Sequence, residues 1–394
     1  MAARPTRVGM TVALGVALLF RVGQIIISVD GPAWAYDFSA YWHAGRQILE
    51  GGTIYSAEQL AGPYSPQQPF LYLYPPFLGV AMTPLAALFN DYRQAMWLWV
   101  AVGCAVFIAS VWRLSAAERF TGPSERVFLV GAMFALAPVG FELVMGNVHI
   151  LLLGVLAAAW LGIRRGTRAG DLAAGVLIGI AVLIKVFPAL LIVWLVLTSR
   201  VRAALAAVAS ASLVALATVP IVGLDAWLEY PRVLANLGPP AELWSSLSPT
   251  SALTEWIDFG LARAVVAVAA LAALIWSARA HSAATSFGVA VMLSILVVPT
   301  LYPHYLALAV LPLILAVAQV RSAVPVALAY GAVFVGGQLA LLDLSQPVNR
   351  VLATVGALSP LVLLFVAGQV RQAGESTRAF DGTVAADGRP PGAT

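Results

Sequence analysis

The 394-residue chain is poor in charge, in cysteine and in lysine. Charged residues make up 10% of it and apolar residues 61%, whereas a soluble protein carries about 25% charged residues. An ordinary water-soluble enzyme is excluded. Disorder along most of the length is excluded too, because disorder needs low hydrophobicity and high charge. The single cysteine, Cys104, leaves no internal disulfide framework and no multi-cysteine metal site. Of the 22 basic residues, Lys185 is the only lysine. The net charge is +4, but the arginines punctuate apolar runs and form no patch, so no nucleic-acid partner is expected. Also missing are an Asp-x-Asp pair, a glycine-rich phosphate loop and histidines at i, i+4 spacing. An ATP-driven pump and a nucleotide-sugar enzyme are thereby disfavoured, and any phosphate handled here is expected in lipid form. No internal repeat supports an inverted-repeat transporter.

What the chain does have is length of apolar run. A hydrocarbon core about 30 Å thick takes roughly 20 residues per helix. On that measure spans fall near 8–29, 94–112, 127–145, 148–163, 172–184, 186–199, 203–222, 261–278, 283–300, 305–320, 324–342 and 351–370. Another apolar piece, 74–89, is broken by Pro75, Pro76 and Pro84. Basic residues favour the cytoplasmic side. Fifteen arginines share that side, against Arg46, Arg93, Arg232 and Arg350 outside, if 74–89 does not cross and the Lys185 stretch crosses twice. The expected architecture is an all-α integral membrane protein of about twelve spans, one domain over 1–371, with both termini cytoplasmic. Two acidic segments, 30–73 and 223–260, become outer loops, and the tail 372–394 reads as disordered. In the first loop Phe38, Tyr41, Trp42, Ile48 and Leu49 recur at helical spacing, which suggests a helix along the interface. Arg4, Arg7 and Ala33-Trp34-Ala35 outline a signal peptide, but the apolar run exceeds the roughly 7–15 residues of such a segment.

Polar residues stand out where polarity is expensive. Lys185, in Ile184-Lys185-Val186-Phe187-Pro188, is either a functional cation or a snorkelling side chain. Pro188 breaks the helix nearby and frees backbone groups, which suits a lipid-linked phosphate. Asp37 is either a partly desolvated general base or an N-cap of the helix that follows it. His149 opens a span that Asn147 could cap, whereas His304 follows Pro303 between Tyr302 and Tyr305, more like a built site. Glu142 could bind a hydroxyl or pair with Arg93. His43 and His281 read as solvated or packing residues.

In this setting the chain resembles the polyprenol-phosphate-mannose-dependent mannosyltransferases of glycosyltransferase family 87, membrane enzymes of the GT-C type. The matching pieces are Asp37-Phe38-Ser39-Ala40-Tyr41-Trp42-His43-Ala44-Gly45, Gly51-Gly52-Thr53-Ile54-Tyr55 and Tyr72-Leu73-Tyr74-Pro75-Pro76-Phe77. They continue with Gly146-Asn147-Val148-His149, the Lys185 segment and Pro299-Thr300-Leu301-Tyr302-Pro303-His304-Tyr305. Asn147 departs from the more usual glutamine. The resemblance implies inverting transfer of mannose from a polyprenyl phosphate to an acceptor hydroxyl on the outer face of the plasma membrane. Asp37 would be the general base, with His304 assisting it or steadying the phosphate. Lys185, His149 and Asn147 would bind the donor phosphate, and Tyr41, Tyr74, Glu142 and Tyr302 would touch sugar or acceptor. The partners implied are membrane lipids, the lipid-linked donor and a lipid or glycan acceptor, with no cofactor and no metal. Arabinofuranose is the alternative sugar, and a lipid or glycan transporter or a non-catalytic scaffold are the alternative classes.

Overall fold

The computed structural model describes residues 3–366, apart from 30, 66–69, 121, 239–245, 255, 320–326, 334–353 and 365. Arg321, Arg350, the tail and much of the last two expected spans lie outside the described residues. Among those described the protein is helical, with no strand and one isolated bridge. The helices are α1 (Ala3–Ser28), α2 (Tyr36–Leu49), α3 (Ala57–Ala61), α4 (Pro76–Leu88), α5 (Tyr92–Ala117), α6 (Pro123–Phe134), α7 (Ala137–Met145) and α8 (His149–Arg164). They continue with α9 (Arg168–Ile184), α10 (Ala189–Leu197), α11 (Val201–Ala235), α12 (Pro249–Leu253), α13 (Phe259–Ala280), α14 (Ala283–Leu296) and α15 (Val310–Gln319). A 3-10 turn, Pro303–Ala309, leads into α15, and 354–364 is helical.

Four helices are long and apolar enough to cross a membrane (Thr11–Ser28 of α1, then α5, α11 and α13). Together α6 and α7 would make a fifth, bent by 65°. The other apolar helices are shorter. Thr167, Asp258 and Ser282 cap α9, α13 and α14, each accepting a bond from a first-turn N–H. Small residues allow close packing of α9 against α11, where a Cβ on Gly175 or Gly179 would run into the backbone carbonyls of Ala203 and Ala207. The Lys185 stretch is a helical hairpin. Asp171 near the start of α9 bonds Arg200 just past α10 at 3.0 Å, so the chain turns back at Lys185. The 13 residues of α4 span about 20 Å, short of a bilayer core. Instead α4 packs on α2, where Gly45 meets the Met82 backbone and Gly79 meets Ile48.

The two long loops are bolted together. Tyr64 N–H donates to Asn236 O and Gly238 N–H to Tyr64 O, both at 3.0 Å, and the Asn236 side chain donates to Gln59 O at 2.9 Å. The second loop also grips the segment before the 3-10 turn. Leu247 N–H donates to Leu301 O at 2.7 Å, and Leu301 N–H donates to Ser246 Oγ at 3.0 Å. Chain direction then sets two ends for the bundle. The ends of α1, α7, α9 and α14 and the starts of α2 and α8 meet at one end. Arg113, Arg164, Arg168, Arg200, Arg202 and Arg279 stand at helix ends on the other.

Candidate active site

Helix ends leave backbone N–H and C=O groups unpaired, and the loop-side end of the bundle gathers several. Helix α9 stops at Ile184 because Lys185 is extended (φ −157°, ψ 136°) and Pro188 follows. The Lys185 side chain is buried and turns inward, so it does not snorkel. Its Nζ lies 3.1 Å from His149 Nε2 and 3.9 Å from the centroid of the Tyr305 ring, with the Tyr74 ring at 5.0 Å. It has no ion-pair partner among the described residues.

His149 is held from its other side. Its Nδ1 lies 2.9 Å from Glu142 Oε2. Glu142 Oε1 accepts from the backbone N–H groups of His149 and Ile150, the first two of α8. A buried carboxylate at a helix N-terminus is stabilised by those donors and by the helix dipole. With Nδ1–H given to Glu142, Nε2 is a bare acceptor aimed at the Lys185 ammonium. Carboxylate, imidazole and ammonium form one line. Glu142 therefore does not pair with Arg93, which donates to Val29 O at 3.0 Å, and both its oxygens have partners on α8. Asn147 does not cap α8 either: its Oδ1 accepts from Val148 N–H at 2.7 Å.

That bond turns the Asn147 amide nitrogen toward His304 Nε2 at 3.2 Å and Tyr74 Oη at 3.3 Å. Tyr41 Oη donates to Tyr74 Oη at 2.8 Å, and the Tyr302 ring stacks on His304 at 5.8 Å. Asp37 stands in the first turn of α2, whose N-cap position is Ala35, so it is not the cap. Its Oδ2 lies 3.5 Å from the same His304 Nε2. One nitrogen thus faces both a donor and a carboxylate, and a proton there can be gained or lost without ring movement. Burial raises the Asp37 pKa above the ordinary carboxylate value, while the Asn147 amide and the Lys185 charge pull it back down. The side chain is still 21% exposed, which leaves it reachable.

All nine residues singled out from the sequence lie in this one connected cluster. One member of the cluster, Tyr305, and one buried cation outside it, Arg21, drew no assignment from the sequence. Tyr305 faces Lys185 with its ring, and its only signal was its place beside His304. Arg21 is a second buried cation, in α1, and an arginine in mid-run was the signal. By distance alone Glu142, His149 and His304 could hold a metal ion, their ligand atoms lying within 4.8 Å of one another. The fit is poor: both His149 nitrogens are engaged, and an ammonium 3.1 Å away repels a cation.

The model of glycosyltransferase family 87 matches residues 72–299, which carry Tyr74, Glu142, Asn147, His149 and Lys185. Searches of curated proteins and of solved structures gave no match. The matched stretch covers well over half of the chain. The chain therefore belongs to glycosyltransferase family 87, as an all-helical protein with several membrane-length apolar helices whose work is glycosyl transfer.

Proposed function

We propose that the protein moves mannose, with inversion, from a polyprenyl phosphate to a hydroxyl of a lipid or glycan acceptor at the outer face of the plasma membrane. The reading includes a GT-C-type bundle of about twelve spans within 1–371, with both termini cytoplasmic. The observation that carries it is the meeting of two hydrogen-bonded groups, Glu142–His149–Lys185 and Tyr41–Tyr74–Asn147–His304 beside Asp37, across the Tyr74 and Tyr305 rings, so that a buried ammonium with no ion-pair partner among the described residues and a partly exposed carboxylate share one cluster. Asp37 takes the acceptor's hydroxyl proton as that oxygen attacks the anomeric carbon. The bond from that carbon to the donor phosphate oxygen breaks, and the electron pair leaves with the polyprenyl phosphate. Lys185 meets the charge growing on that phosphate, in a dry site where such help is strongest. His304 steadies the Asp37 carboxylate and receives proton density from it. His149 and Glu142 hold the ammonium in place, and Asn147 does the same for His304. Tyr41, Tyr74 and Tyr302 wall the space beside the sugar. No step uses a metal or a cofactor.

The test is transfer from radiolabelled polyprenyl-phosphate sugars by membranes carrying wild-type protein or Asp37→Asn. A general base contributes about 10²–10⁴-fold, so Asp37→Asn is expected to lose at least a hundredfold in rate. Retention within about tenfold of wild type removes Asp37 from that role. Offering mannose and arabinofuranose donors in parallel decides the sugar, and no transfer from either overturns the donor class.

A further inference from the structure

The arginine-rich end of the bundle holds a feature that the transfer reaction does not use. Helices α5 and α8 run side by side in the same direction: Gly154 of α8 lies against Val106 and Ser110 of α5, and further along Trp160 Nε1 donates to Glu118 Oε1 at 3.2 Å, just past the end of α5. From His149 at the candidate site to Arg164 the axis of α8 rises about 22 Å, most of a hydrocarbon core. There a cavity of about 460 Å³ is lined by Arg113, Ala116, Ala117, Leu161, Arg164 and Arg165. Arg164 is paired with Glu118 at 3.4 Å. Arg113 and Arg165 have neither an ion-pair nor a hydrogen-bond partner among the described residues, so two positive charges face the space uncompensated.

A second observation says what shape of anion fits. On α5 the residues Val102, Ala105, Ala109, Trp112 and Ala116 are exposed and recur at spacings of three and four. They form one apolar stripe on the helix surface, and its last member lines the cavity. A free anion would use the arginines and leave the stripe bare. A phospholipid uses both, its phosphate between the guanidinium forks and an acyl chain along the stripe.

We propose that this cavity binds the phosphate headgroup of an anionic phospholipid, with its tail lying on α5. The site is separate from the candidate active site and does not depend on the proposed donor. The experiment is native mass spectrometry of the full-length protein in detergent with phosphatidylglycerol, with phosphatidylcholine, and with inorganic phosphate. Wild type is expected to retain phosphatidylglycerol over phosphatidylcholine. The double variant R113Q/R165Q should reduce phosphatidylglycerol retention about 30-fold, from the loss of two near-surface arginine contacts, without changing phosphatidylcholine retention. The charge-keeping R113K/R165K serves as the folding control and should keep most of the preference. Equal retention of the two lipids by wild type overturns the proposal. So does undiminished phosphatidylglycerol retention in R113Q/R165Q, or displacement of the lipid by millimolar inorganic phosphate.

Discussion

Two cations are buried among the described residues, Arg21 and Lys185, and their surroundings are opposite. Arg21, in α1, sits against the bend between α6 and α7. Its guanidinium donates twice to Ala135 O, at 3.0 and 3.4 Å, and also to the Gln24 side chain. Those bonds satisfy a carbonyl that the 65° break would otherwise leave bare. Lys185 also stands at a helix break, yet it turns away from carbonyls into aromatic rings and a single imidazole nitrogen. A cation whose donors are spent on backbone is part of the scaffold. One whose donors are left over, in a site with no contacting carboxylate, suits the proposed role of meeting an anion that comes and goes.

The comparison can be broken most decisively at Lys185. Lys185→Gln is expected to lower kcat/KM about 10²–10³-fold, the scale of removing a donor that stabilises developing charge, with thermal stability little changed. Transfer assays alongside a melting curve in detergent read both. Arg21→Gln should do the reverse, losing about 1–3 kcal/mol of stability as the Ala135 carbonyl goes unsatisfied. The Michaelis constant for the donor should stay at its wild-type value in that variant. A folded Arg21→Gln protein that fails to bind donor would end the distinction between the two cations.

Smaller effects sharpen the picture. Glu142→Gln keeps the shape but removes the charge at the far end of the line through His149. Hydrogen bonds to charged groups contribute about 1.5–3 kcal/mol and neutral ones about 1, so the donor's KM should rise about tenfold. The acceptor's KM should not move. The gentlest readout is pH. Asp37 must be ionised to act, and burial raises its pKa, so activity falls as pH drops through a midpoint above the ordinary aspartate value of about 3.9. A kcat/KM profile with its acid limb at or below that value would contradict a desolvated Asp37.

Much of the fold was legible because membrane-length apolar runs leave the backbone little choice but helix. The aromatic spacing of Phe38, Tyr41 and Trp42 matched α2, and Pro188 marked the break beside Lys185. The local alternatives were harder to separate. Asp37 before a helical pattern looks like a cap, yet helix α2 starts one residue earlier, at Tyr36. Asn147 before a span also looks like a cap, yet Glu142, seven residues before His149, reaches the N-terminus of α8 instead. Capping patterns are read over three or four residues, and a carboxylate returning from the preceding helix falls outside that window.

The sequence by itself determined that the chain is helical and apolar, that its charges collect at helix ends, and that Lys185, Asp37 and His304 needed an explanation. Only the tertiary structure decided that they meet. Asn147 reaches His304 across 157 positions and Arg21 reaches Ala135 across 114, distances in sequence over which no periodicity carries information. Such contacts come from which helix ends pack side by side, and that is set by the fit of whole surfaces.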